Sequence, residues 1–125
     1  MTNSNKKILI VEDDKDFLAI LEKIFSSDGF QVQVAQDARE CLNILQSDQP
    51  ALIIADILLP GIDGIEMVKK IKGLGFSIPI LFLTNVKDAD YVDRIKELSE
   101  FDCLIKSEIG IADIVKKAKD KLKLS

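Results

Sequence analysis

The sequence contains no histidine, and this absence excludes more chemistry than any residue type that is present. Without histidine the chain has no Ser-His-Asp or Cys-His catalytic site and no histidine-bearing metal centre. It also has no histidine that could itself carry a phosphoryl group. Any reaction of this protein must therefore use carboxylates, hydroxyls, lysines and a hard metal ion.

Cysteines and long apolar runs are also scarce. Cys41 and Cys103 lie far apart without a CxxC spacing, so the sequence indicates neither a disulfide framework nor a structural zinc site. No run approaches the ~20 apolar residues that span a bilayer, and no apolar stretch of signal-peptide length follows the short polar lead at 1–5. We therefore expect a cytoplasmic protein without a membrane partner, in which both cysteines are small core residues.

Positive charge is not concentrated on any long stretch of the chain. The net charge is -4 and the pI is near 4.8, whereas a nucleic-acid surface needs clustered lysine and arginine. The most basic stretch, KKAKDKLK at 116–123, alternates with apolar positions at helical spacing, which is typical of a solvated helix face. We expect no direct binding of nucleic acid.

Strand-like and helix-like segments alternate along a chain whose 125 residues suit a single domain, 1–125. The predicted strands are KKILIV (6–11), QVQVA (31–35), ALIIAD (51–56), IPILFLT (78–84) and FDCLI (101–105). The inward positions of the predicted helices are Phe17, Ile20, Leu21 and Ile24; Ala38, Cys41, Leu42 and Leu45; Ile65, Met67, Val68 and Ile71; Val92, Ile95 and Leu98; and Ile111, Ile114, Val115, Ala118 and Leu122.

This alternation predicts an α/β fold, a flavodoxin-like (βα)5 three-layer sandwich with helices on both faces of a parallel sheet. The second strand is the least hydrophobic and suits a sheet edge, so we expect the strand order 2-1-3-4-5. In that order the first and third strands lie side by side at the topological switch point. Ligands bind there, outside the carboxyl ends of the strands.

Five polar side chains are predicted to converge at this end of the sheet. Glu12 and Asp13 end the first strand, Asp56 the third and Thr84 the fourth, and Lys106 follows the fifth. Three neighbouring carboxylates repel one another unless a cation lies among them. Mg²⁺ fits because it takes oxygen ligands, keeps several waters and leaves room for a phosphate. A carboxylate can then form an aspartyl phosphate, while metal, lysine and hydroxyl offset the charge on the transferring group.

A purely structural interpretation of these residues is also possible. Glu12, Asp13 and Asp14 directly precede a helix and could serve only as its caps, and a lysine such as Lys106 could simply extend its ammonium group to solvent. Against this, Asp56 ends an apolar strand, and an unpaired buried carboxylate is costly. We favour a metal and phosphoryl site over the purely structural interpretation, because Asp56 needs a counter-charge nearby.

Four short motifs resemble, in order and spacing, those of bacterial response-regulator receiver domains, and the resemblance covers essentially the whole chain. They are VEDD (11–14), IADILLPGIDG (54–64), LTN (83–85) and LIKS (104–107). The resemblance implies a two-component signalling module that accepts a phosphoryl group on Asp56 from a sensor histidine kinase or a histidine phosphotransfer protein. It implies no enzymatic activity beyond self-phosphorylation and self-dephosphorylation.

The resemblance also implies a role for each matching residue at the metal. Asp13, Asp56 and the backbone carbonyl of Leu58 would ligate Mg²⁺. Glu12 would act on the metal through water. The cofactor implied by the resemblance is thus Mg²⁺ alone, held by the ends of the first and third strands.

Phosphoryl recognition involves a second group of residues in the resemblance. Thr84 and Lys106 would hold phosphoryl oxygens, and Pro60 and Gly64 would shape the loop after the third strand. The family usually has proline directly after the lysine, joined by a cis peptide bond, but this chain has Ser107. Because a cis bond before a non-proline residue costs about 2.5–4 kcal/mol, we predict a trans bond between Lys106 and Ser107.

The chain departs from the family in two further ways, which concern how phosphorylation is signalled to partners and how long the phosphorylated form lasts. Cys103 stands where the family often has a tyrosine or phenylalanine that rotates inward on activation, so we expect an atypical readout. Leu58 and Val86, two residues after the acceptor aspartate and the threonine, are apolar where polar groups in the family help to orient the hydrolytic water. We therefore hypothesise slow self-dephosphorylation.

Two rival classes share parts of this pattern. A small phosphohydrolase resembling haloacid-dehalogenase-like phosphatases also forms an aspartyl phosphate, but it needs a second acid two residues after the nucleophile, and Leu58 occupies that position. A flavodoxin-like FMN binder shares the topology, but the acidic loop EDDKD at 12–16 repels a phosphate. The phosphohydrolase is the stronger of the two alternatives.

Overall fold

The computed structural model describes residues 6–85, 93 and 102–123, and a five-stranded sheet runs through them. Its strands are β1 (Lys7–Val11), β2 (Gln31–Ala35), β3 (Leu52–Asp56), β4 (Ile80–Thr84) and β5 (Asp102–Ile105). The helices among the described residues are α1 (Lys15–Ser27), α2 (Ala38–Ser47), α3 (Gly64–Gly73) and α4 (Ile111–Leu122). Val92, Ile95 and Leu98, the inward positions of a further predicted helix, lie outside the described residues.

The strands are all parallel and follow the order β2-β1-β3-β4-β5, which confirms the predicted flavodoxin-like topology. The register pairs Val11 with Ala55, Asp56 with Leu83, and Thr84 with Ile105. Since parallel strands place their carboxyl ends at the same edge, the residues that follow β1, β3, β4 and β5 meet there.

Two apolar layers enclose the sheet and explain why its central strands read as unbroken apolar runs. Leu9 and Val11 of β1 belong to the cluster that contains the buried side chains of α2 and α3. Ile8 and Ile10 face the opposite way and pack with α1 and α4. Successive side chains of a strand point to opposite faces, so β1 is buried on both sides. The predicted three-layer arrangement is therefore confirmed.

Helix α1 is rotated relative to its predicted orientation. Its buried residues are Leu18, Leu21 and Phe25, whereas Ile20, which we expected to face inward, is 44% exposed. Apolar residues stand next to each other at several points of this helix, so two overlapping stripes satisfy the same helical spacing. The sheet packs against the second stripe, and the prediction for Ile20 is wrong.

The helix ends are set by local side-chain bonds and one glycine. Asp14 caps α1, Asp37 caps α2 and Asp63 caps α3, each carboxylate accepting backbone N–H groups of the first turn. Gly29 follows α1 with φ of +88°, a left-handed conformation that glycine adopts without strain. An aspartate thus caps the start of each of these three helices, and a glycine follows the end of α1.

The two cysteines occupy different depths. Cys41 is buried in the α2–α3 cluster, and burial raises the pKa of its thiol to about 12. Cys103 is half-buried and packs against the periphery of the same cluster. The prediction of a core position therefore holds fully for Cys41, while Cys103 lies at the edge of the core.

The basic stretch of α4 is partly neutralised by acids of neighbouring elements. Lys119 Nζ lies 2.6 Å from a carboxylate oxygen of Asp28, and Lys121 Nζ lies 3.2 Å from one of Asp102. Because these lysines pair with acids next to α1 and in β5, this face of α4 is not an unpaired basic patch. Among the described residues, no helix has the length and apolar character needed to cross a membrane.

Candidate functional site

One ammonium group is shared by two nearly buried carboxylates at the carboxyl edge of the sheet. Lys106 Nζ lies 2.6 Å from Oε1 of Glu12 and 3.0 Å from Oδ2 of Asp56. The side chains of Lys106, Glu12 and Asp56 are 11%, 3% and 12% exposed. The lysine after β5 thus supplies the counter-charge that the acid at the end of β3 was predicted to need.

A third carboxylate completes an acidic cluster. One carboxylate oxygen from each of Glu12, Asp13 and Asp56 lies within 4.8 Å of the others. Asp13 is exposed, whereas both oxygens of Glu12 are engaged, one by Lys106 and one by the backbone N–H of Asp14 at 3.1 Å. All donors are oxygens, the ligand type that Mg²⁺ prefers. The donor set therefore fits a magnesium ion held mainly by Asp13 and Asp56.

The backbone at the end of β1 fixes the acids in different roles. The N–H of Glu12 donates to the carbonyl of Ala35 at 2.9 Å, which continues the pairing with β2. Asp14 Oδ1 then accepts the N–H groups of Asp16 at 3.0 Å and Phe17 at 3.3 Å. Asp14 alone is therefore the helix cap, and Glu12 is turned toward Lys106 instead. The cap-only interpretation does not account for Glu12.

Burial and hydrogen bonding act in opposite directions on the two ends of this ion pair. Burial raises the pKa of Glu12 above its ordinary value of 4.5, although the hydrogen bond from Lys106 offsets part of that effect. Burial alone would lower the pKa of Lys106, but the bonds to Glu12 and Asp56 outweigh it and hold the pKa above 10.5. Lys106 therefore remains a cation at neutral pH.

The raised pKa of Glu12 makes a prediction about stability. The folded protein binds more protons than the unfolded chain between pH 4.5 and the raised pKa, so this contribution to stability falls as the pH rises through that window. We expect the free energy of unfolding of the parent minus that of Glu12→Gln to decrease above pH 4.5 and then level off. Urea unfolding of both proteins across this pH range, in the presence of a chelator, measures this difference. A difference that grows with pH would mean that the Lys106 bond outweighs burial.

The remaining predicted residues lie around the same edge. Thr84 is fully buried at the end of β4, and its carbonyl accepts the backbone N–H of Lys106 at 2.8 Å. The N–H of Leu58 donates to Asp56 Oδ1 at 3.2 Å, while Leu58 as a residue is 49% exposed. The described residues contain no cis peptide bond, which confirms the trans bond between Lys106 and Ser107.

The loop after β3 is held close to the sheet. The N–H of Gly64 donates to the carbonyl of Ile57 at 2.6 Å. A Cβ atom at Gly64 would lie 2.8 Å from the Phe82 ring and 3.0 Å from the carbonyl oxygen of Asp56. The predicted role of Gly64 in shaping this loop thus has a steric basis. Pro60 lies in the same loop and is exposed.

The sequence did not reveal one aromatic residue of the site. The ring of Phe17 lies over the Lys106 ammonium group, with Nζ 4.4 Å from the ring centroid. The helical spacing predicted only that Phe17 faces the core, and it does pack at the edge of the α1–α4 cluster. Its place in the first turn after the acidic loop is the one signal that could have brought it to this edge.

Comparison with known proteins agrees with this architecture. Residues 8–119 match the family model described as the response regulator receiver domain. The sporulation initiation phosphotransferase F of Bacillus subtilis (strain 168) is 33% identical over 94 residues, which cover 75% of this chain and 76% of that protein. The response regulator MprA of Mycolicibacterium vanbaalenii is 37% identical over 78 residues, 62% of this chain. The chain spans only 34% of the length of MprA.

A solved structure extends the agreement to three dimensions. The signal receiver domain of a signal transduction histidine kinase from Syntrophus aciditrophicus has a TM-score of 0.84 at 30% identity, covering 94% of this chain and 89% of that one. Fold, acidic edge and relatives together define a signalling module of the two-component type. The chain belongs to the response regulator receiver domain family.

Proposed function

We propose that this domain accepts a phosphoryl group on Asp56 from a phosphohistidine of a sensor histidine kinase or a histidine phosphotransfer protein, in a reaction that requires Mg²⁺. The observation that carries the proposal is the ammonium group of Lys106 between Glu12 and Asp56, beside the exposed Asp13. An acid cluster with one lysine provides both a nucleophile and the positive charge that phosphoryl transfer needs.

In the proposed reaction a carboxylate oxygen of Asp56 attacks the phosphorus atom. The bond from phosphorus to the donor nitrogen breaks, and its electron pair leaves with the donor imidazole. Bound Mg²⁺, held by Asp13, Asp56 and the Leu58 carbonyl, with Glu12 acting through water, would supply positive charge against the phosphoryl oxygens. Lys106 and Thr84 hold those oxygens by hydrogen bonds.

The experiment is incubation with Mg²⁺ and a small phosphodonor, followed by intact mass measurement. The parent should gain the mass of one phosphoryl group, and Asp56→Asn should gain none. Asp63→Asn is a matched control, because it makes the same change at an acid that caps α3 and asparagine also caps helices well. A chelator should abolish the gain. A gain that persists in Asp56→Asn would exclude Asp56 as the acceptor.

The residues around Asp56 also lead us to predict the lifetime of the phosphorylated form. The Leu58 side chain is half exposed beside the acceptor and offers no hydrogen bond to a water molecule. Leu58→Asn places an amide there that can orient the attacking water, so decay of the phosphorylated form should be several-fold faster. Decay is followed by intact mass after removal of the phosphodonor, with Leu58→Met as control. An unchanged rate in Leu58→Asn would refute the hypothesis; Val86 lies outside the described residues.

The rival functions gain no support. The small phosphohydrolase needs a second acid two residues after its nucleophile, and Leu58 is an apolar residue at that position. The FMN binder needs a loop after β1 that accepts phosphate, and that loop instead carries the acids of the cluster. A receiver module whose catalysis is limited to its own phosphorylation and dephosphorylation remains the proposal.

A further inference from the structure

Resting on the proposed function, we propose that Phe17 is a positioning residue for phosphoryl transfer. Its ring holds the ammonium group of Lys106 at the acceptor carboxylate and keeps water from the third side of that group. Phe17 touches neither Asp56 nor a phosphoryl group in this scheme, and it acts through Lys106.

The geometry around Nζ of Lys106 leaves little freedom for that atom. Two of its N–H groups are directed to Glu12 at 2.6 Å and to Asp56 at 3.0 Å. The face of the Phe17 ring covers it at 4.4 Å, and the lysine side chain is only 11% exposed. Three contacts, from α1, from the residue after β1 and from the last residue of β3, therefore surround one cation that comes from the loop after β5.

The position of the ring is itself fixed by the start of α1. The backbone N–H of Phe17 donates to Oδ1 of Asp14, the carboxylate that caps the helix. The ring also packs at the edge of the α1–α4 apolar cluster. The cap holds the backbone of Phe17 and the cluster contact holds its ring, so the ring can restrain Lys106 in turn.

An aromatic ring does more here than an aliphatic side chain of similar size. The face of a phenyl ring carries partial negative charge and attracts an ammonium group, while a leucine covers it without that attraction. Lysine has a flexible four-carbon stem, so its ammonium group otherwise samples many positions. Holding it near the reacting oxygens raises the rate, because transfer depends on charge that is already in place.

The chain contains a matched contact elsewhere. Lys6 Nζ lies 5.0 Å from the centroid of the Phe30 ring and donates to the carbonyl of Asp28. This second pair has the same chemistry, but it takes no part in the acidic cluster of Glu12, Asp13 and Asp56. It therefore serves as an internal control for general effects of removing a ring that covers a lysine.

The test compares initial rates of phosphorylation by a small phosphodonor at saturating Mg²⁺. Phe17→Leu should be about three- to tenfold slower than the parent, and Phe17→Tyr, which keeps a ring face, should stay close to the parent rate. Pentafluorophenylalanine at position 17 keeps the shape but reverses the charge of the ring face, so it should be slow as well. Phe30→Leu should keep the parent rate.

A direct measurement of the contact accompanies the rates. The Hε protons of Lys106 should be shifted upfield in the parent by the ring current of Phe17, and this shift should be lost in Phe17→Leu. An unshifted Lys106 in the parent would overturn the proposal whatever the rates are.

The possible failures are separable. A parent that gains no phosphoryl group overturns the proposed function. A phosphorylated parent whose pentafluorophenylalanine variant keeps the parent rate overturns only the role of Phe17, since packing alone would then explain any slow Phe17→Leu. Should Phe17→Leu fold poorly, the pentafluorophenylalanine variant still decides, because its volume and shape are nearly those of the parent.

Discussion

Lys106→Met is expected to lower the free energy of unfolding by about 3 kcal/mol without Mg²⁺ and to abolish phosphorylation. The substitution removes the ammonium group that lies 2.6 Å from Glu12 and 3.0 Å from Asp56, and it leaves both carboxylates nearly buried. Methionine fills much of the same volume, so the loss reflects charge rather than a cavity. Breaking a buried pair by removing one partner leaves an uncompensated charge, which is the costly case.

Urea unfolding in a chelator, with and without added Mg²⁺, measures this effect. Added Mg²⁺ should stabilise Lys106→Met more than it stabilises the parent, because the metal supplies a counter-charge that only the variant lacks. Lys117→Met is the control: its ammonium group pairs with Asp102 at 3.6 Å, and both side chains are exposed. That change should cost less than about 1 kcal/mol. An equal loss of free energy of unfolding in the two variants would show that the Lys106 ion pairs contribute no more to stability than an exposed pair.

The overall fold could be predicted because apolar runs in this chain are unambiguous where the sheet is buried on both faces. β3 and β4 read as strands from their apolarity alone, and the weak apolarity of β2 marked it correctly as an edge. The orientation of α1 could not be predicted. Apolar residues adjoin at Phe17-Leu18 and Ile20-Leu21, and only packing against the sheet selects between the two stripes.

The candidate site was predictable to the extent that topology controls it. Strand ends of a parallel sheet converge, so Glu12, Asp56 and Lys106 could be brought together without any side-chain coordinates. Two features required the structure. The same lysine bonds both acids, and the Phe17 ring covers that lysine. Both depend on where one flexible side chain ends, which neither periodicity nor strand order determines.

Gly64→Ala is expected to destabilise the fold by about 2–3 kcal/mol and to slow phosphorylation at Asp56. A Cβ atom there would meet Phe82 at 2.8 Å, and the carbonyl of Asp56 and the Cα of Ile57 at 3.0 Å each. Two of these three atoms belong to the backbone and cannot rotate away. The loop must therefore move, and it moves the peptide that carries the acceptor aspartate.

Gly73→Ala makes the same chemical change at the other end of α3 and separates strain from the general effect of replacing glycine. A Cβ atom at Gly73 meets nothing within 4 Å, so alanine should raise the free energy of unfolding by about 0.4–1 kcal/mol through the lower entropy of the unfolded chain. Urea unfolding and the initial rate of phosphorylation are measured for both variants. We expect the free energy of unfolding to fall in Gly64→Ala and to rise in Gly73→Ala. Phosphorylation should be slower in Gly64→Ala alone. A Gly64→Ala protein with the stability and rate of the parent would show that the loop after β3 yields without disturbing Asp56.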